Sequence, residues 1–292
     1  MFQGSIVAIV TPMSEDGSVD FDALKKLVDF HVAEGTDAIV SVGTTGESAT
    51  LSMDEHSTVI RKTIEFAGGN IPIIAGTGAN STTEALELTE NAKAAGAQAC
   101  LLVTPYYNKP PQEGLYQHFR KIAESVDIPQ ILYNVPGRTS VDMSPETTAR
   151  LAEIDNIIGT KEAHGTVERI KQLVALCPAD FCIFTGDDGT AMESILAGAK
   201  GNISVTANVA PALMHQMSQA AVNGDEKSAR EIEAKLTDLN SKMIIESSPI
   251  PVKWALRQMG YIQAGIRLPL VNMSDSCVGE VTAALNKAGI SL

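Results

Sequence analysis

Asn156-Ile157-Ile158-Gly159-Thr160-Lys161-Glu162 is a short apolar run that ends in a lysine and a glutamate. Seven other runs rich in aliphatic and β-branched residues recur along the chain at broadly regular intervals. The eight runs cover residues 5–10, 38–42, 71–75, 99–103, 130–134, 157–161, 181–185 and 201–205. Their near-continuous apolar character is typical of parallel strands that are buried on both faces.

The segments between these runs have the periodicity and the end signals of helices. Residues 20–34 place apolar side chains along one stripe and stop at a glycine. Ser52-Met53-Asp54-Glu55 and Ser81-Thr82-Thr83-Glu84 predict two capping boxes, in which the serine and glutamate side chains each cap a backbone N–H. Thr166 is expected to cap the helix that follows the lysine-bearing run.

Eight consecutive strand-and-helix units predict a closed (β/α)8 TIM barrel of the α/β class. An open doubly wound sheet is the alternative architecture. Runs of similar length, without a Gly-x-Gly-x-x-Gly motif after the first, favour the barrel. We assign residues 1–224 to the barrel and residues 225–292 to a C-terminal three-helix region, with helices expected at 225–245, 251–259 and 276–288.

The composition and the charge of the chain disfavour several classes of binding partner. With 22 basic and 35 acidic residues the formal net charge is −13, so we expect neither nucleic acid nor an anionic membrane as a partner. The four cysteines lack the two-residue spacing of a zinc knuckle or redox pair, which favours reduced thiols. The N-terminus lacks the basic region of a signal peptide, and no apolar run approaches the ~20 residues of a membrane span. We therefore expect a soluble, cytoplasmic protein.

In a TIM barrel the reaction site lies at the carboxyl ends of the strands. The sequence places mostly small, polar or reactive residues at these positions. They are Thr11-Pro12, Gly43 to Ser48, Gly76-Thr77-Gly78, Thr104 to Asn108, Tyr133 to Arg138, Lys161-Glu162, Gly186-Asp187-Asp188 and Thr206-Ala207-Asn208.

Lys161 is the one nitrogen at these ends that is suited to covalent chemistry. A lysine in this position can also be a structural residue that pairs with Glu162 or another carboxylate. Apolar surroundings disfavour a charged amine, and a neutral amine attacks carbonyl groups. The resulting iminium withdraws electrons, so that the adjacent carbon loses a proton and an enamine forms. This chemistry makes or breaks carbon–carbon bonds without a metal.

Residues 43–48 read Gly-Thr-Thr-Gly-Glu-Ser. The glycines allow backbone N–H groups to turn inward beside the two hydroxyls, which suits a carboxylate or an oxyanion. A tight turn with a serine or threonine cap is the structural alternative. The loop is not a phosphate-binding Walker loop, since no Gly-Lys-Ser/Thr follows it.

Three further side chains near the strand ends can support imine chemistry. The hydroxyls of Tyr107 and Tyr133 can relay a proton, although tyrosines are more often packed aromatics. Arg138 is the other cation close to a strand end, and its guanidinium suits a bidentate carboxylate, unless it pairs with an acidic side chain at the surface.

Other classes of site are disfavoured at the strand ends. The sequence has no His-x-His motif or carboxylate–histidine cluster there, so we expect no metal. Asp187 and Asp188 follow the seventh run and would repel a phosphate at the usual barrel phosphate site. The residues alone assign this pair no role beyond capping or loop structure.

Four linked motifs resemble the dihydrodipicolinate synthase family, a branch of the superfamily that contains N-acetylneuraminate lyase and keto-deoxy-sugar aldolases. They are Gly43-Thr44-Thr45-Gly46-Glu47, Thr104-Pro105-Tyr106-Tyr107, Tyr133 to Thr139 and Gly159 to Ala163. The resemblance runs into the C-terminal helices, through Asn202 to Asn208 and Pro249 to Trp254. The lysine and the glycine–threonine loop identify the superfamily. The Tyr-Tyr pair and the context of Arg138 resemble the synthase branch.

The resemblance implies a lyase of the class I aldolase type in lysine and diaminopimelate biosynthesis. Lys161 would form a Schiff base with pyruvate, with no external cofactor, and Thr45 would hold the pyruvate carboxylate. Thr44, Tyr133 and a Tyr107 from the neighbouring subunit would form a proton relay.

The second substrate implied by the resemblance is L-aspartate-4-semialdehyde, and the product is 4-hydroxy-tetrahydrodipicolinate. Arg138 would bind the carboxylate of this aldehyde. Gly186 and Ile203 would line the pocket through their backbones. The resemblance also implies a homotetramer built as a dimer of dimers.

Family members that are inhibited by L-lysine carry an effector site at the tight dimer interface. The corresponding positions here are Ser48, Ala49, His56, Asn80, Glu84 and Tyr106. Position 53 is methionine, where strongly inhibited relatives have histidine. A thioether cannot replace the hydrogen bond of an imidazole, so the strength of inhibition stays open.

Two other functions are considered beside the synthase. One is a retro-aldolase that releases pyruvate from a sialic or keto-deoxy sugar acid. The other is a non-catalytic barrel that binds a small molecule. The complete lysine, threonine and tyrosine set argues against a pure binding protein.

Overall fold

The computed structural model describes residues 2–292 and contains eight parallel strands that close into one barrel. The strands are β1 (Gly4–Ala8), β2 (Ala38–Ser41), β3 (Ile73–Gly76), β4 (Ala99–Val103), β5 (Gln130–Asn134), β6 (Ile157–Glu162), β7 (Cys182–Thr185) and β8 (Gly201–Ser204). Each strand pairs with the next one in the chain, and β8 pairs with β1. The predicted barrel is confirmed, and the doubly wound alternative is wrong.

Helices connect the strands on the outside of the barrel. They are α1 (Phe21–Ala33), α2 (Met53–Ala67), α3 (Thr82–Ala95), α4 (Gln112–Ser125), α5 (Pro136–Thr139), α6 (Pro145–Leu151), α7 (Val167–Leu176), α8 (Ala191–Leu196) and α9 (Pro211–Val222). Three more helices follow the barrel as a C-terminal extension, namely α10 (Glu226–Lys242), α11 (Ile250–Gln258) and α12 (Asp275–Lys287). Dividing the chain at residue 224 into two regions stays a prediction.

The predicted helix caps are met in part. Ser52 and Glu55 form the complete capping box at the start of α2, with bonds of 3.2 and 2.9 Å. Ser81 caps α3 by accepting from the Glu84 N–H at 3.4 Å, but within residues 2–292 the Glu84 carboxylate does not complete the box. The prediction that Thr166 caps α7 is wrong, because its hydroxyl lies 3.2 Å from a ring nitrogen of His164 instead.

The apolar residues of each strand divide between two cores, because successive side chains on a strand point to opposite faces. One core fills the barrel and includes Ile6, Val40, Ile74 and Phe184. The larger core lies between the barrel and the helices. This double burial explains why the strands are almost continuously apolar in sequence.

The C-terminal extension is packed onto the barrel rather than separated from it. Helix α10 packs against α8, α9 and α12, and α11 packs against the short turn at Thr206–Asn208 after β8. Among residues 2–292, no helix combines the length and the apolar character that a membrane crossing requires.

Candidate active site

Lys161 lies near the carboxyl end of β6 with its side chain in the barrel mouth. Its Cα pairs in register with Tyr133 of β5 and with Phe184 of β7. Side chains in register on neighbouring strands share a face of the sheet. Accordingly, the Lys161 Nζ lies 4.4 Å from the centroid of the Tyr133 ring. Both residues are more than nine-tenths buried, so the amine is held against an aromatic face at the base of a cleft.

Gly186 follows β7 and leaves the space that the Lys161 side chain occupies. A Cβ atom at position 186 would lie 2.7 Å from the Lys161 Cε and 2.9 Å from the Ala163 Cβ. Contacts of this length are too short for non-bonded carbon atoms, which sit about 3.5–4.0 Å apart. The absence of a side chain at position 186 therefore allows the lysine to lie where it does.

Residues 43–47, which we call the Thr-Thr turn, form a compact loop after β2. Two N–H to carbonyl bonds of 3.0 and 3.1 Å close the turn on itself. The Thr11 hydroxyl donates to the Gly46 carbonyl at 2.7 Å and ties the turn to the end of β1. Thr44 is partly exposed and Thr45 is buried, and both line the cleft that contains Lys161.

Arg138 stands in α5, directly after β5, on another wall of the same cleft. Its side chain is exposed, and its guanidinium donates one long bond of 3.4 Å to the Ser248 carbonyl. A guanidinium has five N–H donors in a planar fork. Arg138 therefore keeps donors that can face a carboxylate in the cleft.

The cleft around Lys161, which we call the Lys161 cleft, has a volume of about 280 Å³. It brings together the predicted residues Thr44, Thr45, Tyr133, Arg138, Lys161 and Gly186. The C-terminal extension contributes Asn240, Ile244 and Ser248 to its walls. No sequence pattern points to these three residues, since they lie far from the strand ends in the chain and reach the mouth only through the packing of α10 and the segment after it.

Ile203 does not line the Lys161 cleft. It is fully buried inside the barrel in the same apolar cluster as Tyr133 and Phe184. Val205, two residues later, lines the Lys161 cleft.

Glu162 lies beside Lys161 in the chain but points to the outer face of the barrel. Its carboxylate accepts from the Asn134 amide at 3.0 and 3.1 Å and from the His164 N–H at 2.9 Å. Burial raises the pKa of Glu162 to about 7, although Arg169, at 3.8 Å, acts in the opposite direction. Within residues 2–292, no carboxylate lies within 4.0 Å of the Lys161 amine, so the structural alternative of a Lys161 ion pair is wrong.

Asp187 and Asp188 have different surroundings. The Asp188 carboxylate accepts from the Asn202 amide at 2.7 Å and from the Thr206 N–H at 2.8 Å, so it braces the end of β8. Asp187 accepts from the Gly189 N–H at 2.9 Å and lines the Lys161 cleft, where burial raises its pKa. The structural interpretation of this pair is met by both side chains, because Asp187 caps the short turn at Asp188–Thr190 and Asp188 holds the end of β8, although both residues also line the Lys161 cleft.

Tyr107 points away from the Lys161 cleft of its own chain. Its side chain is 90% exposed, and its backbone has a φ of 71°. Few residues other than glycine adopt a positive φ. The loop therefore presents a large aromatic side chain to the surroundings of the chain rather than to its own site.

Three of the six predicted effector residues line a second cleft, which we call the Tyr106 cleft. This cleft holds about 350 Å³, and its walls include Ser48, Ala49 and Tyr106 together with Thr44 and Arg138 of the Lys161 cleft. The two clefts are thus neighbours that share four residues, Thr44, Val135, Arg138 and Ser248.

The other three effector positions lie outside the walls of the Tyr106 cleft. Glu84 is close enough to Tyr106 that its charge, added to burial, raises the pKa of that tyrosine. The Asn80 carbonyl accepts from the Asn108 amide at 2.9 Å. His56 is buried, and burial lowers its pKa to about 4, so the ring is neutral at pH 7.

Residues 2–292 contain no group of three or more His, Cys, Asp or Glu side chains that could hold a metal ion. The Lys161 cleft contains an amine, hydroxyls and a guanidinium, and His164, Asp187 and Asp188 also contribute to its lining. The amine, the hydroxyls and the guanidinium match the chemistry of a carbonyl compound that carries a carboxylate.

Known proteins resemble this chain over its whole length. The model of the dihydrodipicolinate synthetase family matches residues 1–288. A 4-hydroxy-tetrahydrodipicolinate synthase from Pseudomonas savastanoi is 61% identical over 290 residues, which cover 99% of each chain. The enzyme of the same name from Methylococcus capsulatus is 59% identical over 290 residues, which cover 99% of this chain and all of that one.

Solved structures agree with these relatives. The chloride-inhibited dihydrodipicolinate synthase from Acinetobacter baumannii, complexed with pyruvate, superposes with a TM-score of 0.99 at 56% identity and covers both chains fully. The enzyme from Cyanidioschyzon merolae with lysine bound gives a TM-score of 0.96 at 36% identity, with 99% of each chain covered. This chain, with its barrel and its lysine-centred cleft, belongs to the dihydrodipicolinate synthetase family.

Proposed function

We propose that this enzyme condenses pyruvate with L-aspartate-4-semialdehyde through an imine on Lys161 and gives 4-hydroxy-tetrahydrodipicolinate. The relatives that match the chain are synthases of this compound, which belongs to lysine and diaminopimelate biosynthesis. The observation that carries the residue assignment is the position of Lys161. Its amine lies over the Tyr133 ring, free of a carboxylate partner within residues 2–292, in a cleft that also contains Thr45 and Arg138.

The first half of the reaction activates pyruvate. The Lys161 amine attacks the carbonyl carbon of pyruvate, water leaves, and an iminium forms. Thr45 and the backbone of the Thr-Thr turn hold the pyruvate carboxylate. Tyr133 and Thr44 carry the protons that the addition and dehydration steps release and consume. A proton then leaves the methyl carbon, and the iminium nitrogen accepts the electron pair, which gives an enamine.

The second half joins the two substrates. The enamine carbon attacks the aldehyde carbon, and the aldehyde oxygen becomes the hydroxyl of the product. The amino group of the former aspartate semialdehyde adds to the iminium carbon and closes the ring, and the Lys161 amine leaves. Arg138 holds the carboxylate of the aldehyde, so that the aldehyde faces the enamine. The lysine is regenerated, so no external cofactor takes part.

A neighbouring subunit completes the proton relay in this proposal. Tyr107 is exposed and turned away from its own cleft. The Tyr106 cleft, whose walls include Thr44 and Arg138, offers a partner tyrosine access to the relay. In the assembly that we propose, two subunits exchange Tyr107 to form a dimer, and two such dimers form a homotetramer.

L-lysine is the proposed regulator. A relative with lysine bound supports this role. Glu84, which lies near Tyr106, offers a carboxylate for an ammonium group, and Ser48 and Tyr106 offer hydroxyls in the wall of the Tyr106 cleft. Because these groups adjoin Thr44, a bound lysine would disturb the proton relay. His56 contributes as a neutral hydrogen-bonding ring, since its pKa lies near 4.

Turnover measurements test the proposed reaction. The wild-type chain should consume pyruvate and L-aspartate-4-semialdehyde and form the cyclised product. It should release no pyruvate from N-acetylneuraminate, the substrate that the retro-aldolase alternative requires. Lys161→Ala should abolish turnover while the circular dichroism spectrum stays unchanged. A Lys161→Ala variant with wild-type turnover would contradict the mechanism.

A further inference from the structure

Glu47 closes the Thr-Thr turn with an unusual backbone and a buried charge. Its φ is 59°, and its side chain is 1% exposed. Val42, at the other end of the turn, has a φ of 57°. Such values are uncommon for any residue with a side chain and are genuine outliers for a β-branched one. A conformation of this kind persists only where the surrounding structure fixes it.

The C-terminal extension provides that fixation. The Lys253 ammonium, from α11, forms a short ion pair with one carboxylate oxygen of Glu47 and also donates to the Thr11 carbonyl at 3.1 Å. The backbone N–H of Arg267 donates to the other Glu47 oxygen at 3.1 Å. Both oxygens of this carboxylate are therefore held by residues more than 200 positions away in the chain.

Stability alone does not account for the pair. Burial lowers the pKa of Lys253, and the charge of Glu47 opposes this change. A buried ion pair gives little net stability compared with apolar side chains of the same size. What a short charged contact does provide is a defined position and direction, in this case for the end of the turn that carries Thr44 and Thr45.

We propose that Glu47 and Lys253 are positioning residues, through which the C-terminal extension sets the Thr-Thr turn for binding of the pyruvate carboxylate. The inference rests on the proposed role of Thr45. Neither Glu47 nor Lys253 lines the Lys161 cleft, as far as residues 2–292 define it. Glu47 borders the neighbouring Tyr106 cleft, but its side chain is almost fully buried, so the pair acts through the turn and not on the substrate.

The double variant Glu47→Gln/Lys253→Met tests the inference, because it removes both charges and leaves neither one unpaired in the interior. Imine formation on Lys161 is measured by borohydride reduction and intact mass, over a range of pyruvate or acetone concentrations. Acetone forms an imine on the same amine but has no carboxylate. We expect the variant to need about tenfold more pyruvate than the wild type for half-maximal trapping. The acetone dependence should be unchanged.

A matched control is Glu55→Gln. Glu55 pairs with the Arg267 guanidinium at 2.6 and 2.9 Å, so this variant weakens another link between the extension and the barrel without touching the Glu47 carboxylate. Its ratio of pyruvate to acetone trapping should equal that of the wild type. A merely structural role of the pair would lower trapping of both ketones together.

The outcomes separate the two proposals. The positioning role alone is overturned if the wild type forms the pyruvate adduct but the folded double variant keeps the wild-type ratio of pyruvate to acetone trapping. An equal loss of trapping for both ketones in that variant has the same meaning. A wild type without any adduct overturns the proposed function, and this inference with it. If the double variant does not fold, Lys253→Arg is measured instead, since it keeps the charge but changes the contact geometry. A shift in the ratio of pyruvate to acetone trapping that is smaller than the tenfold change expected for the double variant supports the positioning role. An unchanged ratio overturns it.

Discussion

Gly186→Ala should place a methyl group where the Lys161 side chain now lies. The new Cβ would lie 2.7 Å from the Lys161 Cε and 3.1 Å from its Cγ. Since non-bonded carbon atoms need about 3.5–4.0 Å, the lysine must move by roughly 1 Å. A misplacement of about 1 Å at the reacting atoms can cost about 100-fold in rate, which corresponds to about 2.7 kcal/mol of activation free energy.

The assay is the turnover number for ring formation, together with the rate of borohydride trapping at saturating pyruvate. Gly137→Ala is the matched control, because a Cβ at position 137 would have no other heavy atom within 4 Å. The control should keep wild-type rates, whereas Gly186→Ala should lose about two orders of magnitude in both measurements. Wild-type trapping and turnover in a folded Gly186→Ala variant would refute the claim that the lysine needs a glycine at position 186.

Three further predictions concern the aldehyde, the relay and the outer face of β6. Arg138→Lys replaces a planar fork with a point charge, so KM for L-aspartate-4-semialdehyde should rise about tenfold while KM for pyruvate stays constant; equal changes in both would contradict its assignment. Tyr107→Phe removes a relay hydroxyl and should lower kcat by about 100-fold in an otherwise unchanged oligomer, and an unaltered kcat would exclude it from the relay. Glu162→Gln should change how stability depends on pH. Folding raises the Glu162 pKa from 4.5 to about 7, so its ionisation weakens the folded state as the pH rises through this window. Denaturant unfolding should show the variant gaining up to about 3 kcal/mol relative to wild type between pH 4.5 and 8, and a constant difference would contradict the shift.

The sequence was sufficient to predict the barrel because its eight strands are apolar on both faces. The predicted bounds of β4 and β5 are those of the structure, and the others differ by at most two residues. The apolar pattern predicts too early a start for the third strand, because Ile71 is as apolar as the strand itself. The strand starts after Pro72, which has no N–H to donate. Local patterns of this kind specify elements well and their ends less well.

Much of the candidate site could also be predicted, since strand ends of a barrel converge by topology. The distance from Lys161 to Tyr133 follows from their register on adjacent strands. The contributions of Asn240 and Ser248 to the cleft could not be predicted, and neither could the bond from Lys253 to Glu47. These depend on how the C-terminal extension packs over the mouth, and no local pattern encodes that.

The identity of the nucleophile is the central claim, and reductive trapping tests it most directly. The folded chain is incubated with pyruvate and borohydride, its intact mass is measured, and the modified peptide is mapped. We predict a single adduct of reduced pyruvate on Lys161, which is lost in Lys161→Ala. An adduct on another lysine, or no adduct at saturating pyruvate, would contradict the account.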